Sequence, residues 1–306
     1  MRQWTTVEQA YQYCKATLGM DSQLAERIKM EPHGIRQKRL SKHIVNARER
    51  YWDKVKYLVM LRLDYEKYVQ NDSLKTFLLS TSSRRLVENN YASSFWGVPH
   101  NCAGRILMTL RQHFSSGPAF LCTILPNTII ISDSTCEQVD FLQLAANTGR
   151  VIDSVVLPGV KFEYVSLLTP WLVGDYVKDV LIFAGINNLV GKDGSAKRGP
   201  RKLVGKLLHF LVLFQTYCPN VKLCVSEVIN CSFRKNQRIN SHISRFNQQL
   251  SLSYTNGELP GNVSILRHDI FNDDCFSDLF RFSNIGTARI VHSIHHFLQE
   301  ADSNIS

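Results

Sequence analysis

Three short turns in this 306-residue sequence end apolar runs with groups that can bind or polarise a carbonyl or an anion. Ser132-Asp133-Ser134 follows the run ending at Ile131, Pro158-Gly159 follows Val155–Leu157, and Gly185-Ile186-Asn187-Asn188 follows Val180–Ala184. Together they offer a hydroxyl, backbone N–H groups and a side-chain amide. If the runs are strands of an open parallel sheet, all three turns fall on the edge where such sheets carry their sites. A second set lies near the start of the chain. Glu8 stands one helical turn before Gln12 and two before Lys15, Glu88 follows an apolar pair, and Phe95-Trp96-Gly97 places aromatic rings beside a flexible residue. A carboxylate for acid–base work, a ring for stacking and cations for phosphate can hold a ribosylated base. The same residues also describe a core tryptophan with surface glutamates, and at this level both readings stand.

The elements that must position these groups change character part-way along the chain. In the first third, apolar positions recur at three and four residues, as in Val7, Ala10, Tyr11 and Cys14 and again in Val55, Leu58, Val59 and Leu63, which predicts amphipathic helices. Turn residues separate them near Gly19–Asp21, Pro32–Gly34 and Asn71-Asp72. Phe77–Thr81 and Arg85–Glu88 read as short strands, and Ala103–Phe114 returns to helical spacing. The expectation is a helix-rich α+β domain over 1–114. Ser115–Pro118 opens a predicted linker over 115–125. After it, apolar runs at 127–132, 151–157, 180–184 and 221–225 alternate with helical stretches such as Leu203–Tyr217 and Ile239–Leu252. That alternation predicts an α/β three-layer domain over 126–306, with a flavodoxin-like parallel sheet of about five strands.

Composition limits what such a chain does. Hydrophobic residues make up 44% and charged residues 20%, ordinary values for a globular protein. No stretch reaches the roughly 18 apolar residues of a membrane span, and residues 1–20 lack the apolar core of a secretory signal, so an intracellular protein, cytoplasmic or nuclear and without a membrane partner, is expected. Eight cysteines without C-x-x-C spacing predict reduced thiols, neither a disulfide framework nor a metal site. No cofactor is expected. The net charge of +10 is uneven: +9 over residues 1–114 and +1 over the remainder. A basic N-terminal surface favours anionic partners, with nucleic acid, dinucleotides and phosphate esters all open.

The order of the turns in the second half resembles the SGNH, or GDSL-type, hydrolases. The resemblance covers roughly residues 126–299 and extends through Asn240, Phe246, Asn247 and Leu250 to Asp278–Gly286. It implies an SGNH-type fold in which Ser134 matches the nucleophile, Gly159 and Asn187 match the oxyanion donors, and Asp278 matches the orienting carboxylate. Two positions depart from the pattern. Ser132 replaces the turn glycine, and Arg281 stands where the family has its histidine. A guanidinium does not take a proton from serine at neutral pH, so the departure at 281 removes the base. His268, His292, His295 and His296 are the available replacements, although a lone helical histidine is more often structural. An oxyanion hole beside Arg281 would instead receive a carboxylate, a phosphate or an acetyl-like carbonyl without turnover.

Five blocks in the first third resemble the NADAR family in order: Val7–Ala16, Trp52 with Met60, Leu86–Glu88, Phe95–Gly97 and Gly104–Arg111. The family is linked to NAD and ADP-ribose chemistry and to hydrolysis of N-glycosidic bonds in phosphoribosylated or ADP-ribosylated substrates. The resemblance implies that Glu8 is a catalytic carboxylate and that Lys15, Trp52, Glu88 and Trp96 belong to the ligand pocket. Ser93 stands where the family carries a second carboxylate, and Met1 falls where the family has already passed its first strands. Either the sequence is truncated at its start or the domain has shed activity. Three functions are therefore carried forward: an N-glycosidase acting on an ADP-ribosyl or phosphoribosyl ligand, a non-catalytic binder of nucleotide-like or acidic ligands, and an esterase using Ser134.

Overall fold

The computed structural model describes residues 4–44, 49–115, 125–191, 195–197, 199–232, 237–268, 271–278 and 281–303. The chain divides into two compact units, Met1–Pro126 with Trp171–Tyr176, and Asn127–Pro170 with Val177–Ser306.

The first unit is helical: α1 (Val7–Leu18), α2 (Ser22–Met30), α3 (Gly34–Ser41), α4 (Glu49–Val69), α5 (Asp72–Ser80) and α6 (Cys102–Ser115). Side-chain caps fix where the first two begin. Thr6 accepts from the Gln9 amide at 3.0 Å, and Asp21 accepts from that of Leu24, also at 3.0 Å. Tyr13 and Ala16 of α1 pack with Leu24, Ala25 and Ile28 of α2, and Trp4, Leu40 and Trp171 close over them.

The unit is helix-rich as expected, but both strands predicted for it are absent among its described residues. Phe77–Ser80 belongs to α5, where Leu78 is buried while Phe77 is 71% exposed. The apolar run is therefore a one-sided helix, and four apolar residues in a row cannot reveal which period they follow. Arg85–Glu88 has no strand partner. Its backbone is held instead by the buried side chain of Asn101, which accepts from the Glu88 amide at 2.8 Å and donates to the Leu86 carbonyl at 2.9 Å. Of the predicted linker, Ser115 ends α6, Leu125 is buried, and residues 116–124 lie outside the described residues.

The second unit is a five-stranded parallel sheet, β1 (Thr128–Ser132), β2 (Ile152–Val156), β3 (Asp179–Phe183), β4 (Lys222–Ser226) and β5 (Val263–Leu266), in the order β2-β1-β3-β4-β5. Six helices connect or flank the strands: α7 (Phe141–Thr148), α8 (Phe162–Leu172), α9 (Ile186–Leu189), α10 (Pro200–Tyr217), α11 (Gln237–Thr255) and α12 (Asn284–Ser303). Ile130, Leu181, Phe183, Cys224 and Leu266 pack with Leu144 of α7 and with Ile290, Ile294 and Leu298 of α12. The alternate positions, Ile129, Ile131, Val180, Ile182, Leu223 and Val225, are buried too, so both faces of the sheet are covered. Arg150 and Asp179 form a buried ion pair, and Arg150 also donates to Thr128 Oγ1 and the Leu298 carbonyl, tying β1, β3 and α12 together.

The chain leaves β1 for β2 on one side and resumes at β3 on the other. This reversal opens a crevice between the carboxyl ends of β1 and β3.

Candidate functional site

At that crevice the second unit holds a cleft of about 280 Å³, lined among others by Asp133, Ser134, Asn187, Ser226, Glu227 and Phe282. The turn after β1 is set by two side chains. Ser132 accepts from the Cys136 amide at 3.1 Å, and Asp133 Oδ1 accepts from the Thr135 amide at 2.9 Å and the Thr135 hydroxyl at 2.5 Å. Ser132 ends β1 and is not among the residues with positive φ, so the position does not require glycine. Its hydroxyl caps the turn instead. Asn187 Nδ2 lies 3.4 Å from Asp133 Oδ2, which brings the third turn against the first. Asp133 is buried, and that burial pushes its carboxyl up to about 6 against the opposing bonds from Thr135.

The other residues matched to the hydrolase pattern are not among the residues that line this cleft. Gly159, at φ +77°, is exposed and is not among the cleft-lining residues. Phe276 and Phe282 bring the loop that follows β5 to the cleft, but the Arg281 side chain is 76% exposed and lies 3.7 Å from Asp278 rather than in the cleft. The expected anion receptor beside Arg281 is thus not formed by that guanidinium: a pair so exposed stays with solvent. Among the described residues, no imidazole bonds the Ser134 hydroxyl. His292 and His296 are exposed on α12, and His268 Nε2 sits 2.7 Å from a different hydroxyl, Ser226 Oγ.

The polar wall beyond β4 was not read from the sequence, because Ser226 closes an apolar strand without any turn signal. Two asparagines on α11 fix this wall. Asn247 accepts from the Val228 amide and donates to its carbonyl at 3.0 and 2.9 Å, and Asn240 does the same for Cys231 at 2.9 and 3.0 Å. Each asparagine imitates a strand partner, so the loop is held without a sixth strand. Glu227 also lines the cleft, and burial raises its carboxyl pKa against Arg267 and Ser251.

In the first unit, two of the predicted residues, Trp52 and Trp96, meet around Tyr11. Its ring lies 4.8 Å from Trp52 and 5.8 Å from Trp96, both edge-on. Burial raises the Tyr11 phenol above its ordinary range, Cys14 and Glu8 add to this, and hydrogen bonds from Trp52 and Trp96 oppose it. One turn along α1, Gln12 Nε2 donates to Glu8 Oε1 at 2.9 Å, and Gln12 Oε1 is buried with no protein partner among the described residues. Glu8 and Lys15 are half-buried on the same helix. Trp96 is held by its own loop: its amide donates to Ser93 Oγ at 3.3 Å, and a side chain at Gly97 would strike the Asn90 carbonyl. Lys56 sits 4.0 Å over the neighbouring Phe95 ring, a cation beside the aromatic pair. Glu88 is exposed, and its backbone, through Asn101, is what the fold holds.

The helix-rich unit, with a carboxylate and an amide on one helix face and tryptophans from α4 and from a loop beside them, corresponds to a known domain: residues 1–115 match the NADAR domain family. Over 114 residues the chain is 30% identical to N-glycosidase Npun_R5314 of Nostoc punctiforme, covering 36% of this chain and 73% of that protein. The chain belongs to the NADAR family. It is also 31% identical over 97 residues to Protein irg-1 of Caenorhabditis elegans, covering 31% of this chain and 46% of that protein, so it spans less than half of that relative's length. Among solved structures, a carbohydrate esterase family 3 protein from Talaromyces cellulolyticus is similar with a TM-score of 0.48 and 14% identity, covering 60% of this chain and 100% of that one. At that score and identity the likeness carries no statement about chemistry.

Proposed function

We propose that the NADAR domain hydrolyses an N-glycosidic bond in an ADP-ribosyl or phosphoribosyl substrate and that Glu8 is its carboxylate. The observation that carries this is the geometry on α1: Gln12 holds one oxygen of Glu8, beside an aromatic cluster that includes the half-exposed Trp96. Hydrolysis breaks the bond from the sugar C1′ to the base nitrogen and forms one from C1′ to water oxygen, through a sugar that is cationic in the transition state. An anion stabilises that sugar and takes the proton of the attacking water, that proton ends on the departing base nitrogen, and the base keeps a stacking surface on Trp96. Gln12 fixes the carboxylate by binding Oε1, leaving Oε2 for this work. The name of the relative from Nostoc punctiforme supports the same reaction class. The +9 charge over residues 1–114 suits a phosphate-bearing substrate, with nucleic acid as a possible carrier of it.

The test is incubation of the purified chain with ADP-ribosylated DNA, NAD and ADP-ribose, with base release followed by chromatography. Base release that Glu8→Gln abolishes supports the reading. ADP-ribose binding without release, unchanged in Glu8→Gln, supports the rival reading of a non-catalytic binder, which Ser93 at the second-carboxylate position favours. No helix among the described residues is long and apolar enough to cross a membrane, and the activity is proposed for the intracellular space.

A further inference from the structure

Ser226, which lines the cleft of the second unit, is paired with the imidazole of His268 away from the residues of the hydrolase pattern, and we propose that this pair is a slow acyl-transfer site in which Ser226 is the nucleophile and His268 the base. Ser226 lines the cleft, and its Oγ is 2.7 Å from His268 Nε2. The tautomer a general base requires places the proton on Nδ1, and the next contacts accommodate it. Ser293 on α12 donates its hydroxyl to the Arg289 carbonyl at 3.0 Å, which leaves its oxygen able to accept from His268 Nδ1 at 3.3 Å. In that tautomer Nε2 carries its lone pair toward Ser226. The Glu227 carbonyl, 2.7 Å from Ser226 Oγ, competes for the hydroxyl proton at rest, and His268 gains it as the oxygen attacks.

Location supports the same assignment. Ile182 pairs with Val225 and Ser226 with Leu266, so Ser226 sits on the last rung of β4, at the sheet edge where the turns after β1 and β3 also end. The Asn240 and Asn247 clamps fix the loop that follows it. Asn187, whose amide has only a long 3.4 Å contact to Asp133, lines the same cleft and can turn its N–H toward an oxyanion. A cleft of about 280 Å³ suits a short acyl group.

The substrate class is an ester of a short carboxylic acid. Ser226 Oγ bonds to the carbonyl carbon while its proton passes to His268 Nε2. The carbon–oxygen bond to the alcohol breaks, and the alkoxide takes that proton. Water then gives a proton to the same nitrogen and bonds to the acyl carbon, the bond to Oγ breaks, and the proton returns to Ser226. The third position is a hydroxyl, Ser293, rather than a carboxylate, and an orienting group without charge leaves turnover about 10⁴-fold below that of a complete triad.

The test is labelling of the full chain with a small fluorophosphonate, with the modified peptide mapped by mass spectrometry, and turnover of p-nitrophenyl acetate. The expected result is a single label on Ser226 and slow turnover. His268→Gln should lower the labelling rate about 10²- to 10⁴-fold, with unfolding and ADP-ribose binding unchanged. A label on Ser134, or an unlabelled folded chain, overturns the proposal. Mapping on the unmodified chain decides the matter even if Ser226→Ala fails to fold, and neither outcome depends on the chemistry proposed for Glu8.

Discussion

The two units place polar groups in opposite ways. In the first, the candidate residues are side chains from α1, from α4 and from the loops before α6, one of which Asn101 holds. In the second, the sheet itself brings the groups together, because β1, β3 and β4 all end at one edge. A helix face offers one carboxylate its partners at fixed turns, so a single substitution can remove the chemistry. A sheet edge offers several hydroxyls and amides at once, so Ser226 meets an imidazole there although position 281 carries an arginine.

This difference predicts that one conservative change on α1 is enough to remove the chemistry of the first unit. Glu8→Gln keeps the shape and can still bond Gln12, yet it removes the anion that faces a cationic sugar. Base release should fall about 10²- to 10⁴-fold, with ADP-ribose affinity within a few-fold of wild type by calorimetry. A matching loss of affinity would mean that Glu8 binds rather than reacts, and would put the helix face on the same footing as the sheet edge.

The two tryptophans around Tyr11 sharpen the contrast within the first unit. Trp52 is 6% exposed, so Trp52→Ala should cost about 3–5 kcal/mol of stability in a denaturant titration. Trp96 is half-exposed, and its loss should act mainly on the ligand, weakening binding by about 1–3 kcal/mol if a base stacks there. Equal stability losses with no effect on binding would return both rings to the role of core packing.

How much could be read in the sequence follows the same division. The four apolar runs at 127–132, 151–157, 180–184 and 221–225 are strands within a residue or two, because strands covered on both faces are nearly continuous apolar stretches. Ser134 and Asn187 were legible for the same reason, each lying just past such a run. Phe77–Ser80 misled because α5 buries only Leu78, and Arg85–Glu88 misled because its bonding partner is a side chain sixteen residues beyond its start. Glu8 and Trp96 could be singled out by residue type and Trp52 only through motif order, since the three come from separate segments. Ser226 carried no signal, because a serine at the end of an apolar strand is common and its imidazole partner comes from the end of the next strand.

Each unit also holds one carboxylate whose pKa is pushed up to about 6, the half-buried Asp64 on α4 and the buried Asp133 in the cleft, desolvation being the main cause in both. From an ordinary value of 3.8, a raised pKa means that the folded chain keeps a proton the unfolded chain has released. The stability this gives is complete below about pH 4 and is lost as pH rises through about 6, by up to roughly 3 kcal/mol for each group. Asp64→Asn and Asp133→Asn should each flatten the slope of stability between pH 4 and 6, measured by denaturant titration at several pH values. A slope unchanged in Asp133→Asn would show that the cleft solvates its carboxylate and that the sheet edge is wetter than its geometry implies.

The smallest effect is expected at the position where the hydrolase pattern is most visibly broken. Arg281 is 76% exposed and its only close ion-pair distance among the described residues, 3.7 Å to Asp278, joins two solvent-facing groups, the kind of pair that contributes about 0–1 kcal/mol. Arg281→Ala should therefore leave unfolding nearly unchanged. Arg281→His is the sharper variant, since it writes the family's histidine back into the sequence. With the side chain outside the cleft, the new imidazole has no hydroxyl to deprotonate, and p-nitrophenyl acetate turnover should rise less than about tenfold, well short of the 10²–10⁴ a positioned base supplies. A larger rise, with a fluorophosphonate label moving to Ser134, would mean that the loop carrying residue 281 reaches the β1 turn in solution, and that the broken position, rather than Ser226 and His268, governs what the cleft does.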